Sequence, residues 1–88
     1  MPNHPQTAVA LRYDPEHGDT APRVLASGKG ASAEQILRLA QTHDIPLRRD
    51  PVLASALATL DLGASVPPEL FRAVAEVLAF VYKLNEKR

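Results

Sequence analysis

The chain contains no cysteine. Disulfide bridges therefore cannot compensate for a small core, and thiolate chemistry drops out of the candidate activities. It has no surplus of either charge, since ten Lys and Arg balance ten Asp and Glu. Nucleic-acid binders ordinarily carry a basic excess, so no nucleic-acid partner is expected. No apolar run approaches the roughly 20 residues of a bilayer-spanning helix; the longest candidate, residues 70–82, is interrupted by Arg72 and Glu76. No apolar segment follows a basic start, so no secretory signal is expected. Internal repeats and low-complexity tracts are absent too. These absences point to a cytoplasmic protein without direct membrane insertion. What is present is 88 residues, 45 % of them hydrophobic. That is enough for one small domain with a modest core, and too apolar for disorder.

Residues 1–6 are Pro-rich and expected to form a flexible tail ahead of a domain spanning residues 7–88. Thr7–Tyr13 alternates Val9, Leu11 and Tyr13 with Ala8, Ala10 and Arg12, which predicts a strand. Asp14–Pro22 carries turn chemistry, and Arg23–Ser27 predicts a second strand, antiparallel to the first. Gly28-Lys-Gly30 breaks it. Ser32-Ala-Glu-Gln35 has capping-box spacing for a helix carrying Ile36, Leu39, Ala40 and His43, which Pro46 ends. Ile45–Arg49 predicts a short third strand, joined to the second by a right-handed crossover and parallel to it. Asp50-Pro51 is an N-cap followed by proline at the first helical position, and Leu53, Leu57 and Leu60 form one row. Gly63 is expected to close that helix at positive φ. Val66-Pro-Pro68 starts the last helix. There Leu70, Phe71, Val74, Ala75, Val77, Leu78, Val81 and Tyr82 fall in one broad arc opposite Glu69, Arg72, Glu76 and Lys83. Phe80 alone lands on the charged side. The expected fold is a small α/β (α+β-like) domain. It has a mixed three-stranded sheet packed by three helices, in the order β-β-α-β-α-α.

Several of these segments, in order, resemble the cytoplasmic domain of FlhB/YscU proteins, the substrate-specificity switch of type III and flagellar export. Ala8-Val-Ala-Leu-Arg-Tyr-Asp14 is similar to the strand after that family's cleavage site, and Ala21-Pro22 to the segment that follows. Ile45-Pro46 with Asp50-Pro-Val-Leu-Ala54 is similar to a short strand and helix. Gly63–Tyr82 is similar to the last helix. The resemblance covers about Thr7–Leu84. Family members carry transmembrane helices and a linker ahead of this domain, and Asn-Pro-Thr-His just before the first strand. There the Asn side chain attacks its own carbonyl and the chain breaks before Pro. Here the corresponding residues are Asn3-His-Pro-Gln6, so the Asn-Pro bond is missing. Self-cleavage is therefore expected to be absent, and the chain reads as a free-standing counterpart of the cleaved fragment. No enzymatic activity is expected.

The resemblance implies one docking patch for export substrates or export-gate components, at Ala21, Pro22, Ala75 and Leu78. Ala75 and Leu78 share a helix face; the alternative is plain core packing. Phe80 is either covered by the N-terminal segment or free to contact a partner. The family's sheet has a further strand ahead of the cleavage site, so the first strand here is expected to leave an edge open to a partner strand or a second copy. A different class of function is a small anion- or nucleotide-binding regulator built on Gly28–Ser32, between a strand and a helix N-terminus. The full phosphate-loop pattern is not met, because Arg23 stands where its first glycine belongs. Arg48-Arg49-Asp50 reads as solvated charge with a helix cap, the alternative being a basic recognition spot. His4, His17 and His43 lack metal-ligand spacing, so neither metal nor cofactor is expected.

Overall fold

The structure, a computed structural model, describes the backbone of residues 6–86 and the side chains of residues 6–83. The expected tail therefore lies, except for Gln6, outside the described residues, as does the Asn3–Pro5 part of the family's motif region. Two strands form one antiparallel pair: β1, Thr7–Arg12, and β2, Arg23–Lys29. Three helices follow: α1, Ala31–Thr42; α2, Pro51–Leu57; and α3, Phe71–Glu86.

The strand register separates two faces. Leu11 pairs with Val24 and Val9 with Ser27, while Ala8 pairs with Gly28 and Ala10 with Ala26, Leu25 being an extra bulged residue. Directly opposed residues share a face, so one side of the hairpin is built of small residues, Ala8, Ala10, Ala26 and Gly28, up to the Arg12–Arg23 pair at its loop end. α1 lies there, close enough that a Cβ on Gly28 would meet the Ser32 Cβ at 2.5 Å. Its buried positions are again small, Ala33 and Ala40. The other side carries the main core: Leu53 and Leu57 of α2, Val66, and Val74 of α3, with Val9, Leu11, Leu60, Leu70, Ala73, Val77 and Leu78 packed against them. The hairpin is thus the middle layer between α1 and the α2–α3 pair.

The third strand expected at Ile45–Arg49 is not formed; residues 45–50 carry no regular structure. α1 ends in a Schellman closure. Asp44, at φ 55, lets its own N–H bond Gln41 O at 3.3 Å and the Ile45 N–H bond Ala40 O at 2.8 Å. Ile45 has therefore given its donor to the helix, and Pro46 has none to give. The outer edge of β2 is filled by a different segment. The Val24 N–H reaches Ala64 O at 3.0 Å, the Gly63 N–H reaches Val24 O at 2.7 Å, and the Val66 N–H reaches Pro22 O at 2.8 Å. The crossover and its parallel pairing fall with the third strand.

Smaller corrections follow the same logic. Ser32 does not cap α1: the N-cap is Gly30, without a side-chain bond, and Ser32 is already helical and packed over Gly28. Leu39 faces solvent. α2 stops at Leu57, so Gly63 does not close it. Gly63 has φ 82 and instead occupies the third position of a turn closed by the Ala64 N–H on Asp61 O at 3.0 Å, where a type II turn requires positive φ.

Candidate functional site

The broad apolar arc of α3 is divided along its length. Val74 and Val77 turn into the core, while Phe71, Ala75 and Tyr82 remain exposed, with Leu78 half-buried between the two sets. Phe71, Val74, Ala75 and Leu78 stand at i, i+3, i+4 and i+7, one stripe on the helix surface. Facing that stripe is the hairpin connection, through Tyr13, Thr20, Ala21 and Pro22. The two walls enclose an open, shallow groove of about 220 Å³. Val74, fully buried, is its floor; Phe71 and Tyr13, 43 % and 36 % exposed, are on its rim.

All four residues singled out from the sequence, Ala21, Pro22, Ala75 and Leu78, line this groove. Phe80 does not. It sits further along α3, half-buried, with the Arg48 guanidinium 5.5 Å from its ring centroid. That stacking accounts for an aromatic on a charged helix side. Asp50 caps α2, accepting the Leu53 N–H at 3.1 Å. At the Gly28–Ser32 loop, the Gly30 N–H is bonded to Gln6 O at 2.8 Å, and Gly28 is explained by the close approach of α1. His17 contacts the Asp14 carboxylate at 2.6 Å, and His43 is the C-cap of α1. Among the described residues no cluster of His, Asp and Glu is placed to hold a metal.

A polar cluster that the sequence reading missed lies at the end of the groove's loop wall. Asp19, in an otherwise exposed loop, is only 6 % exposed. Its Oδ1 accepts from Arg12 Nη2 at 2.9 Å and lies 3.4 Å from Arg23 Nε. Its Oδ2 accepts from Arg12 Nε at 3.1 Å and from the Asp14 N–H at 2.9 Å. The hydrogen bond from Arg12, then that from the Asp14 amide, hold the Asp19 carboxyl below its ordinary value against the opposing effect of desolvation. The same pair raises Arg12, first through the hydrogen bond to Asp19 and then through its charge. A signal existed in the pairing register. Arg12 and Arg23 are cross-strand partners, and two cations directly opposed are unfavourable unless an anion stands between them.

Fold and groove together define a small helix-covered hairpin domain with an apolar surface site at the base of its hairpin loop. The profile of the FlhB, HrpN, YscU and SpaS family matches residues 2–81, and the chain belongs to that family. The protein YlqH of Bacillus subtilis is 42 % identical over 79 residues, which is 90 % of this chain and 84 % of that protein. The flagellar biosynthetic protein FlhB of Aquifex aeolicus is 42 % identical over 86 residues, and that of Yersinia enterocolitica 49 % over 79 residues. The chain covers 24 % and 20 % of their respective lengths, so it corresponds to about a quarter or less of these FlhB proteins. Among solved structures, an EscU/SpaS C-terminal domain superposes with a TM-score of 0.82 at 31 % identity, covering 88 % of this chain and 95 % of that one. The cytoplasmic domain of FlhB from Shewanella putrefaciens gives 0.81 at 39 %, covering 86 % and 63 %. No helix among the described residues is long and apolar enough to cross a membrane.

Proposed function

We propose that this chain is a non-enzymatic interaction module of flagellar or type III protein export, acting in the cytoplasm. It docks secreted substrates or export-apparatus components in the groove between α3 and the hairpin loop. The observation that carries the reading is geometric. Ala21 and Pro22 are more than fifty residues from Ala75 and Leu78 in sequence, yet all four line one open apolar depression. Small residues on both walls leave room for an incoming apolar side chain, and the aromatic rim offers contact area without sealing it. Membership of the export family supports the same reading. The module does not cleave itself, because Asn3 precedes His4 rather than proline. The outer edge of β1 offers a second contact. The Gly30 N–H bond to Gln6 O sets the alternation, so Thr7 and Val9 turn their backbone groups away from β2, where a partner strand can pair.

The test is complementation of a full-length family member truncated at its cleavage site. Supplying this chain restores export. Ala75→Glu, which places a charge on an exposed groove position, abolishes the rescue while circular dichroism and the melting temperature stay unchanged; Leu78→Asp does the same wherever it folds. Rescue that survives a folded Ala75→Glu variant overturns the docking reading.

A further inference from the structure

We propose that Asp19 is a positioning residue. Clasped between Arg12 and Arg23, its carboxylate holds the hairpin loop as one wall of the groove. The inference builds on the docking reading only for the use of the groove; the clasp itself is a claim about this chain alone.

The loop has no apolar anchor of its own. Between Tyr13 and Ala21, Asp19 is the sole buried residue; Pro15, Glu16, His17, Gly18 and Thr20 are all exposed. Something other than hydrophobic burial must therefore place it, and the bonds that converge on Asp19 do so from three sides. Arg12, at the end of β1, grips both carboxylate oxygens. The Asp14 N–H donates to Asp19 Oδ2, and the Asp19 N–H donates back to Asp14 O at 3.1 Å, which closes the loop on itself. Arg23, at the start of β2, lies 3.4 Å from Oδ1 through Nε and donates through Nη1 to Gly63 O at 3.0 Å. Arg23 thereby ties the loop to the turn ahead of α3, so the two walls are referred to one guanidinium. Tyr13, Thr20, Ala21 and Pro22, the loop's share of the groove, flank this clasp directly. A carboxylate withdrawn from water is tolerated only when its oxygens are fully paired. Replacing it leaves the Asp14 amide without its acceptor and two arginines facing each other across the strand pair. Each consequence releases the loop wall while leaving the apolar core between α2, α3 and the sheet as it was.

The absence of native cysteine provides the probe. Val74→Cys puts a single thiol on the groove floor, at a position with 0 % exposure. Its rate of modification by a small disulfide reagent is measured alone and combined with Asp19→Ala, Asp19→Asn or Asp14→Asn, with urea unfolding of each variant giving the global opening constant. Asp19→Ala accelerates labelling at least tenfold beyond what the change in global opening supplies. Asp19→Asn, which keeps an acceptor but not the charge, accelerates it less. Asp14→Asn, whose one side-chain hydrogen bond among the described residues is to the exposed His17, leaves it unchanged. A second measurement needs no cysteine: amide exchange of Val66, whose N–H is bonded to Pro22 O, quickens at least tenfold in Asp19→Ala relative to that of Leu57. Labelling and exchange that merely follow global unfolding, or do not change, overturn the clasp. Neither readout involves a partner, so a clasp that passes beside a groove shown inert by Ala75→Glu separates this inference from the docking reading.

Discussion

At position 28 a methyl group has nowhere to go. A Cβ there would stand 2.5 Å from the Ser32 Cβ and 3.0 Å from the Ser32 carbonyl carbon. The second of these is backbone, so no rotamer change relieves it. Gly28→Ala is expected to cost about 1–3 kcal/mol through overpacking, read as a lower urea midpoint with an unchanged slope. In the sequence, Gly28-Lys-Gly30 resembled a fragment of a phosphate loop, because glycine beside a helix start serves either purpose. Only the helix position tells them apart. Asp19 sets a second expectation at this scale. Its carboxyl lies below the ordinary 3.8 in the folded chain, chiefly through the Arg12 hydrogen bond. The unfolded chain therefore binds the proton first as pH falls, so the stabilisation is complete above the ordinary value and is lost on acidification through the lowered one. The matching rise in Arg12 adds stability that is constant across the working range and is lost only in strong alkali. Urea midpoints of the native chain and Asp19→Asn should differ most near neutral pH and draw together as the pH falls below the ordinary 3.8. A constant gap would mean that the pair contributes nothing through its charge.

Elements whose cause is local were legible. Asp50-Pro51 starts α2 as expected, with the Asp50 carboxylate on the Leu53 N–H. Asp50→Ala should cost roughly 1 kcal/mol, the usual value of an N-cap, seen as a drop in melting temperature with little change in helix content. The first strand also stands where alternation put it, the second starts at Arg23 as expected but runs on to Lys29 instead of breaking at Gly28, and the stripe on α3 follows from its period. The third strand failed because strand formation is decided by a partner rather than by the segment. Ile45–Arg49 has suitable residues, but the closure of α1 takes the Ile45 donor and residues 63–66 already occupy the edge of β2. Neither fact is visible within a ten-residue window. The same holds for Gly63. Positive φ was legible from its residue type, whereas the job it serves, a turn pressed against β2 rather than a helix end, depends on chain thirty-nine residues away.

At the scale of the whole molecule, one helix serves two surfaces, and the division between them predicts how substitutions behave. An 88-residue domain is stabilised by roughly 4–13 kcal/mol. The core has few members; Leu53, Leu57, Val66 and Val74 are its buried cluster. Leu57→Ala removes a fully packed side chain and should cost about 2–5 kcal/mol, a large share of that total. Ala75 lies a single residue from Val74 but outside this cluster, on the exposed wall of the groove. Replacing it with Glu gives up little helix propensity and buries no charge, so stability should shift by no more than about 0.5 kcal/mol. The pair of variants thus separates fold from contact. Leu57→Ala should lower the urea midpoint steeply while whatever fraction remains folded keeps its groove. Ala75→Glu should leave the midpoint in place while blocking the groove. If Ala75→Glu instead destabilises the chain as severely as Leu57→Ala, the stripe at Phe71, Ala75 and Leu78 is core after all. The apolar wall would then be packing surface, with no face left over for a partner.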